Sequence, residues 1–166
     1  MVIVGPPGAG KTTVARLLAE RLGVDVRDTD ADIEADTGLA VPDIFVERGE
    51  EAFRALEEAA VARALDEHAG VLALGGGAVL SERTRVALKP HPVLYLEVGL
   101  ANAVRRVGLG ASRPLLLGNV RSTLKRLLDD RAPLYREVAD ITVNTDEHDA
   151  AEVVDLAFAQ LKRTDA

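Results

Sequence analysis

A segment near the start of the chain has the residues and spacing that a phosphate-binding loop needs. It runs from Gly5 to Thr12 and reads Gly-Pro-Pro-Gly-Ala-Gly-Lys-Thr, which fits the pattern G-x-x-x-x-G-K-[ST]. Glycines let the backbone curl so that successive N–H groups face phosphate oxygens, and a following helix adds its positive N-terminal end. Lys11 would contact the β- and γ-phosphates of a nucleotide, and the Thr12 hydroxyl would hold Mg²⁺. The residues predicted to bind the nucleotide here are Gly8, Ala9, Gly10, Lys11, Thr12 and Thr13.

Two aspartates, Asp28 and Asp30, follow the second candidate strand. Ligands in parallel α/β sheets bind beyond the carboxyl ends of the strands. An Asp-x-Asp there can place one carboxylate near a metal ion and the other near an acceptor hydroxyl, which suits phosphoryl transfer. Alternatively, Asp30 caps the helix that runs through Ile33, and capping does not exclude a functional role.

Three glycines, Gly75-Gly76-Gly77, end the third candidate strand. They let a ligand approach main-chain N–H groups closely, and three exceed what a plain strand-to-helix turn needs. Of the 16 arginines, Arg113 lies in a loop flanked by glycine, from Gly110 to Leu115. A mobile lid at this position could deliver a cation to the phosphate that is transferred.

Short apolar runs alternate with longer helical segments, which is typical of a parallel α/β fold. The predicted strands are Val2–Val4, Val24–Arg27, Val71–Leu74, Val93–Val98 and Ile141–Val143. The predicted helices are 11–22, 30–36, one that begins near Pro42, 50–68, one from Ser81 as cap towards Leu88, 100–107, 119–130 and 150–162.

Composition excludes several classes of protein. The chain has 166 residues, which predicts one domain over 1–166, and it has no cysteine, so disulfide scaffolds and thiolate metal sites are excluded. A net charge of -7 argues against nucleic acid or an anionic membrane as partner. We find no membrane-spanning or signal-peptide pattern and no long exposed apolar segment, so a cytoplasmic monomer is expected.

Taken together, the motifs resemble those of shikimate kinases in type and order. They are the phosphate loop, Asp28-Thr29-Asp30, Ile44-Phe45 through Gly49-Glu50, Phe53-Arg54 with Glu57, Gly75-Gly76-Gly77, Arg113-Pro114-Leu115-Leu116 and Arg131-Ala132-Pro133-Leu134-Tyr135. The resemblance implies transfer of the γ-phosphate of ATP to the 3-hydroxyl of shikimate, in the pathway to aromatic amino acids. It also implies a three-layer P-loop kinase fold, similar to nucleoside monophosphate kinases, with a five-stranded parallel sheet flanked by helices. Substrate-binding helices would span about 30–66, and a lid about 108–119.

The resemblance also implies a role for individual residues. Asp30 would be the base or orienter of the attacking oxygen, Asp28 would support Mg²⁺ through water, and Arg113 would reach the phosphates from the lid. Arg54 and Arg131 would grip the substrate carboxylate, a task that suits the guanidinium fork, with Glu57 holding Arg54 in place. The remaining predicted substrate-binding residues are Phe53, Gly75, Gly76 and Gly77, and the remaining nucleotide-side residues are Arg106 and His148.

Other functions share part of this pattern. A gluconate kinase would share Lys11 and Thr12 but should lack the pair Arg54 and Arg131. A nucleoside monophosphate kinase needs a pocket that stacks a base, which is poorly provided for by 3% aromatic residues and no tryptophan. A non-catalytic ATP-binding regulator would keep the loop and could dispense with Asp30.

Overall fold

The computed structural model describes residues 1–108 and 119–164, and these residues form a parallel β-sheet with helices on both faces. Five strands lie in the order β2-β3-β1-β4-β5, and every neighbouring pair is parallel. The strands are β1 (Val2–Val4), β2 (Val26–Asp28), β3 (Val71–Ala73), β4 (Val93–Glu97) and β5 (Ile141–Asn144). The predicted five-stranded parallel sheet is confirmed.

The helices connect successive strands and complete the alternating pattern. They are α1 (Lys11–Leu22), α2 (Thr29–Thr37), α3 (Val41–Glu67), α4 (Glu82–Leu88), α5 (Leu100–Gly108), α6 (Val120–Val138) and α7 (Ala150–Thr164), with a short 3-10 helix at Ala78–Leu80. α3 is interrupted at Gly49, whose φ of 83° and ψ of 170° are not helical. Its two halves correspond to the two separate helices that the sequence predicts.

The centre of the sheet is buried on both faces because β1, β3 and β4 are apolar at consecutive positions. Ile3 and Leu94 pack on one side, in a core that includes residues of α1, α5 and α7. Val2 and Leu72 pack on the other side, in a core that includes residues of α3, α4 and α6. Side chains of a strand alternate between faces, so a continuous apolar run supplies both layers, as expected for a parallel sheet.

The strand order brings the phosphate loop, the two aspartates and the three glycines to one edge of the sheet. β1 lies between β3 and β4, so the chain changes direction across the sheet at β1. Such a switch point opens a crevice at the carboxyl ends of the strands. The phosphate loop follows β1, the aspartates follow β2 and the three glycines follow β3. All three motifs therefore end at the same edge of the sheet.

Two predicted boundaries are wrong. β2 begins at Val26 rather than Val24, because the N–H of Val24 still bonds to the Ala19 carbonyl at 3.0 Å and closes the end of α1. α6 ends at Val138 rather than at residue 130, and Pro133 lies inside it. Buried residues at helical spacing on α6, including Arg131 and Tyr135, show that packing against the core maintains the helix despite the proline.

Within the described residues, no helix is both long and apolar enough to span a membrane.

Candidate active site

The phosphate loop has the backbone conformation that its glycines allow. Gly8 and Gly10 have φ angles of 83° and 85°, in the left-handed region that other residues rarely adopt. Gly10 is the N-cap of α1, so the N-terminus of that helix lies directly behind the loop. The ammonium group of Lys11 donates to the Gly5 and Pro6 carbonyls at 2.8 and 3.1 Å. The loop therefore presents backbone N–H groups, a helix N-terminus and a lysine together, as anion binding requires.

A cavity of about 280 Å³ joins this loop to the other predicted motifs. Phosphate-loop residues lie on one side of it and carboxylates on the other. Its lining residues are Pro7, Gly8, Gly10, Lys11, Thr12, Thr13, Asp28, Asp30, Ala73, Leu74, Gly76 and Arg106. The structure thus brings predicted nucleotide-binding, metal-binding and acceptor-binding residues to one place.

The two aspartates differ in their surroundings because β2 passes directly into α2. Asp28 is the N-cap of α2 and accepts from the N–H groups of Asp30 and Ala31 at 2.9 and 3.5 Å. The interpretation of Asp30 as a helix cap is therefore wrong, since Asp28 has this role. Among the described residues, none donates a hydrogen bond to the buried Oδ1 of Asp30. Burial, reinforced by the neighbouring carboxylates of Asp28 and Glu57, raises the pKa of Asp30 to about 6, although Lys11 opposes the shift.

Thr12 and Asp28 fit the predicted magnesium site. Both line the 280 Å³ cavity, and both offer oxygen atoms, the ligands that Mg²⁺ prefers. Within the described residues, no group of three or more His, Asp or Glu side chains could enclose a metal ion. In kinases Mg²⁺ is usually held by one or two protein oxygens together with phosphates and water, so magnesium at Thr12 and Asp28 stays a prediction.

Arg54 is held in place by a buried carboxylate. Its Nη1 donates to Glu57 at 2.8 Å, and its Nη2 donates to the exposed Glu50 at 3.4 Å. Glu57 is only 3% exposed, so this ion pair is little screened by solvent. Burial raises the pKa of Glu57, and the guanidinium groups of Arg54 and Arg131 oppose that rise. The prediction that Glu57 holds Arg54 is confirmed.

The three glycines face these charged groups at close range. A Cβ at Gly75 would lie 2.7 Å from both Asp30 Oδ1 and Glu57 Oε2. A Cβ at Gly77 would collide with the guanidinium group of Arg54. A larger residue at Gly75 or Gly77 would therefore displace the charged groups of Asp30, Glu57 or Arg54 from their present positions, quite apart from any ligand.

Arg131 and Phe53 lie beside this cluster. Arg131, on α6, is 7% exposed, and its charge acts on the pKa of Glu57, which places it near the same carboxylate as Arg54. Phe53 is 2% exposed, and its ring centroid lies 5.4 Å from the guanidinium carbon of Arg54 and 4.6 Å from the ring centroid of Phe45. The ring thus supports Arg54, and its predicted contact with the acceptor stays a prediction.

Arg106 connects the phosphate loop to the segment after β5. Its guanidinium group donates to the Gly8 carbonyl at 3.0 Å and to the Thr145 hydroxyl and carbonyl at 3.1 Å each. Arg106, Thr145 and His148 line a second cavity of about 220 Å³ beside the loop. His148 is largely exposed and lies 3.6 Å from Glu152. Arg106 and His148 therefore lie beside the phosphate loop, and their predicted contact with the nucleotide stays a prediction.

Two contacts in the site were not foreseen from the sequence. The Tyr135 hydroxyl donates to the Gly76 carbonyl at 2.5 Å, and the Asp146 carboxylate accepts from Gly99 N–H and the Asn102 side chain at 2.9 Å each. Each contact joins residues more than 40 positions apart, so no local pattern indicates it. Arg113 and nearly all of the predicted lid lie outside the described residues.

These features define a P-loop kinase that phosphorylates a small acceptor molecule. They are the strand order, the phosphate loop after the central strand, and the carboxylates and arginines beside that loop. The fold is shared with deoxyadenosine kinase from M. mycoides, which aligns with a TM-score of 0.63 at 15% identity over 99% of this chain and 100% of that one.

The comparisons identify the family. The model of the family described as Shikimate kinase matches residues 7–162. A shikimate kinase from Thermobifida fusca is 59% identical over 160 residues, which is 96% of this chain and 93% of that protein. The structure of shikimate kinase from Acinetobacter baumannii in complex with shikimate has a TM-score of 0.92 and 40% identity, covering 99% of this chain and 92% of that one. The chain belongs to the shikimate kinase family.

Proposed function

We propose that this protein transfers the γ-phosphoryl group of ATP to the 3-hydroxyl of shikimate, giving shikimate 3-phosphate and ADP on the route to chorismate and aromatic amino acids. The observation that carries the proposal is that Lys11 and Asp30 line one 280 Å³ cavity. Phosphoryl transfer between small molecules needs donor phosphates and an acceptor hydroxyl side by side, and these two groups suit the two partners.

The acceptor is an anion, and the arginines supply its counter-charge. Arg54, fixed by Glu57, and Arg131 bind the shikimate carboxylate through charge-assisted hydrogen bonds. Backbone N–H groups of Gly76 and Gly77 add neutral donors. Because Arg54 is already held by a buried carboxylate, little side-chain entropy remains to be lost when shikimate binds.

Asp30 orients the attacking hydroxyl and accepts its proton. Its Oδ1 is buried, and none of the described residues donates a hydrogen bond to it, so a substrate hydroxyl is a suitable partner. A pKa of about 6 leaves this carboxylate mostly ionised at neutral pH, yet makes it more basic than an ordinary aspartate.

The nucleotide lies along the loop. The N-terminus of α1, the loop N–H groups and Lys11 neutralise the β- and γ-phosphates, and Arg113 adds a cation from the lid segment. Thr12 would hold Mg²⁺ directly and Asp28 through water, and the ion supplies further charge neutralisation when bound. Arg106 and His148 lie on the side of the nucleotide base.

The test is coupled ADP release with Mg²⁺-ATP in the presence of shikimate, gluconate, a nucleoside monophosphate or no acceptor. We expect ADP release with shikimate and none with gluconate, with the nucleoside monophosphate or without an acceptor. ADP release only with another acceptor would contradict shikimate as the substrate but leave ATP as the phosphoryl donor. ATP binding without release for any acceptor would indicate a non-catalytic regulator.

A further inference from the structure

Tyr135 connects α6 to the three-glycine turn by a side-chain hydrogen bond. The phenol is 1% exposed, and its hydroxyl donates to the Gly76 carbonyl at 2.5 Å. Its ring stacks on Tyr95, with centroids 5.1 Å apart. A phenylalanine would fill this ring position equally well. The hydroxyl therefore needs an explanation that packing of the ring does not supply.

The hydroxyl holds the peptide between Gly76 and Gly77. Neither residue has a side chain that could fix the orientation of this peptide, so a hydrogen bond to its carbonyl defines that orientation. That peptide is trans, and in a trans peptide the carbonyl and the following N–H point in opposite directions. A bond that holds the Gly76 carbonyl towards Tyr135 therefore turns the Gly77 N–H away from Tyr135. The guanidinium group of Arg54 lies against this same glycine.

Tyr135 is also placed by the helix that carries the second arginine. Arg131 precedes it by four positions on α6, so the two side chains lie on the same helix face. Burial raises the pKa of Tyr135 well above its ordinary value, and the Arg131 guanidinium opposes that shift through its charge and through a hydrogen bond to the phenol oxygen. The phenol thus stays protonated and remains a donor at any pH at which the protein would work.

We propose that the Tyr135 hydroxyl is a positioning group for the acceptor: by holding the Gly76 carbonyl, it aims the Gly77 N–H at the carboxylate bound by Arg54 and Arg131. The proposal rests on the proposed phosphorylation of shikimate and deepens it. It adds to the site a residue that does not itself touch substrate. One helix, α6, would then supply both a cation for the carboxylate and the alignment of a backbone donor.

The test compares Tyr135→Phe with the matched change Tyr95→Phe, which removes a hydroxyl from the other ring of the same stack. Burial raises the pKa of Tyr95, Glu97 adds to the rise and Arg136 opposes it, whereas the charged neighbours of Tyr135 are Arg131 and Glu57. We expect Tyr135→Phe to raise the KM and Kd for shikimate roughly tenfold. The KM for ATP should change less than twofold, and Tyr95→Phe should leave both constants near those of the wild type.

A second acceptor separates positioning from general loosening of the site. In the hydroxymethyl analogue of shikimate an uncharged group replaces the carboxylate, so calorimetric binding of this analogue should weaken much less than that of shikimate in Tyr135→Phe. Equal weakening for both compounds, or a Tyr135→Phe protein with wild-type shikimate binding, would overturn the assignment. Wild-type protein that phosphorylates no shikimate would instead contradict the proposed function.

The wild-type protein provides a test that does not depend on folding of the variant. In an amide NMR titration, the Gly77 resonance should move downfield with shikimate and clearly less with the hydroxymethyl analogue. A Gly77 resonance that responds equally to the two compounds would overturn the proposal.

Discussion

Asp28 fixes the position of Asp30, because the Asp28 carboxylate accepts the backbone N–H of Asp30 at 2.9 Å. β2 ends at Asp28 and α2 begins at Thr29, so no flexible loop separates the two acids. Both carboxylates line the cavity, but that of Asp28 also anchors the backbone, whereas Oδ1 of Asp30 receives no hydrogen bond from the described residues. Both residues are aspartates, so the difference in their hydrogen bonding comes from their positions at the junction of β2 and α2.

Replacing Asp30 should remove turnover while preserving the fold. Asp30→Asn keeps the shape and loses the proton acceptor, so we expect kcat to fall at least ~100-fold. The matched control is Asp66→Asn, on the exposed end of α3, which should leave kcat within twofold. Steady-state ADP release measures both variants, and an Asp30→Asn protein with near-normal kcat would remove Asp30 from the proposed mechanism.

The pH profile should report the ionisation of Asp30. The pKa of about 6 predicts that kcat/KM for shikimate falls as the pH drops below 6, approaching a tenfold loss for each unit, because the protonated acid cannot accept a proton. The profile should be measured with the ATP concentration saturating. If kcat/KM began to fall only near pH 4, Asp30 would have the pKa of an ordinary aspartate, and the prediction would be wrong.

The same group should make the fold less stable at neutral pH. The folded pKa of about 6 exceeds the ordinary value of 3.8, so the folded chain holds its proton more tightly than the unfolded chain, and stability falls as the pH rises between these values. At pH 7 we expect Asp30→Asn to raise the free energy of unfolding by ~1–3 kcal/mol. Urea unfolding at pH 7 and pH 4 tests this, since the gain should largely vanish at pH 4.

Two glutamates that pair with Arg54 offer a matched test of how that arginine is held. Glu57 is buried and lies 2.8 Å from Arg54, whereas Glu50 is exposed and lies 3.4 Å away. Glu57→Gln should raise the KM for shikimate by about tenfold, because a buried ionic contact is lost, and Glu50→Gln should change it less than twofold. Equal effects in the two variants would show that burial of the pair is irrelevant to acceptor binding.

Neighbouring arginines on α5 provide a similar test on the nucleotide side. Arg106 bonds to Gly8 and Thr145, whereas Arg105 is exposed and donates to Asn102. Arg106→Ala should raise the KM for ATP by about tenfold, because the loop loses a charge-assisted hydrogen bond, and Arg105→Ala should not. The KM for shikimate should stay within twofold in both. A selective effect on shikimate would contradict the placement of Arg106 on the nucleotide side.

Sequence reasoning worked best where a motif has its own local physics. The phosphate loop needs left-handed glycines and a helix behind it, and Gly8, Gly10 and Lys11 are found in those positions. The two separate helices predicted near Pro42 and over 50–68 correspond to the two halves of α3 on either side of Gly49. The five-stranded parallel sheet followed from apolar runs alternating with helices, together with the family resemblance.

It was less successful where distant packing decides the outcome. The predicted helix over 119–130 stops too early, because burial of Arg131 and Tyr135 against the core extends α6 through Pro133. Asp30 was considered as the helix cap, but Asp28 is the cap, and sequence alone does not show at which residue β2 passes into α2. The bond from Tyr135 to Gly76 spans 59 positions and has no local signal.

The three-glycine turn also limits which mutations could make this protein resistant to an inhibitor. Any missense change at Gly75 or Gly77 adds at least a Cβ, which would press on Asp30 and Glu57 in one case and on Arg54 in the other. A resistant mutant at these codons would therefore damage its own acceptor pocket. Compounds that bind against Gly75 and Gly77 would therefore be difficult to evade by substitution at those two positions without a loss of acceptor binding.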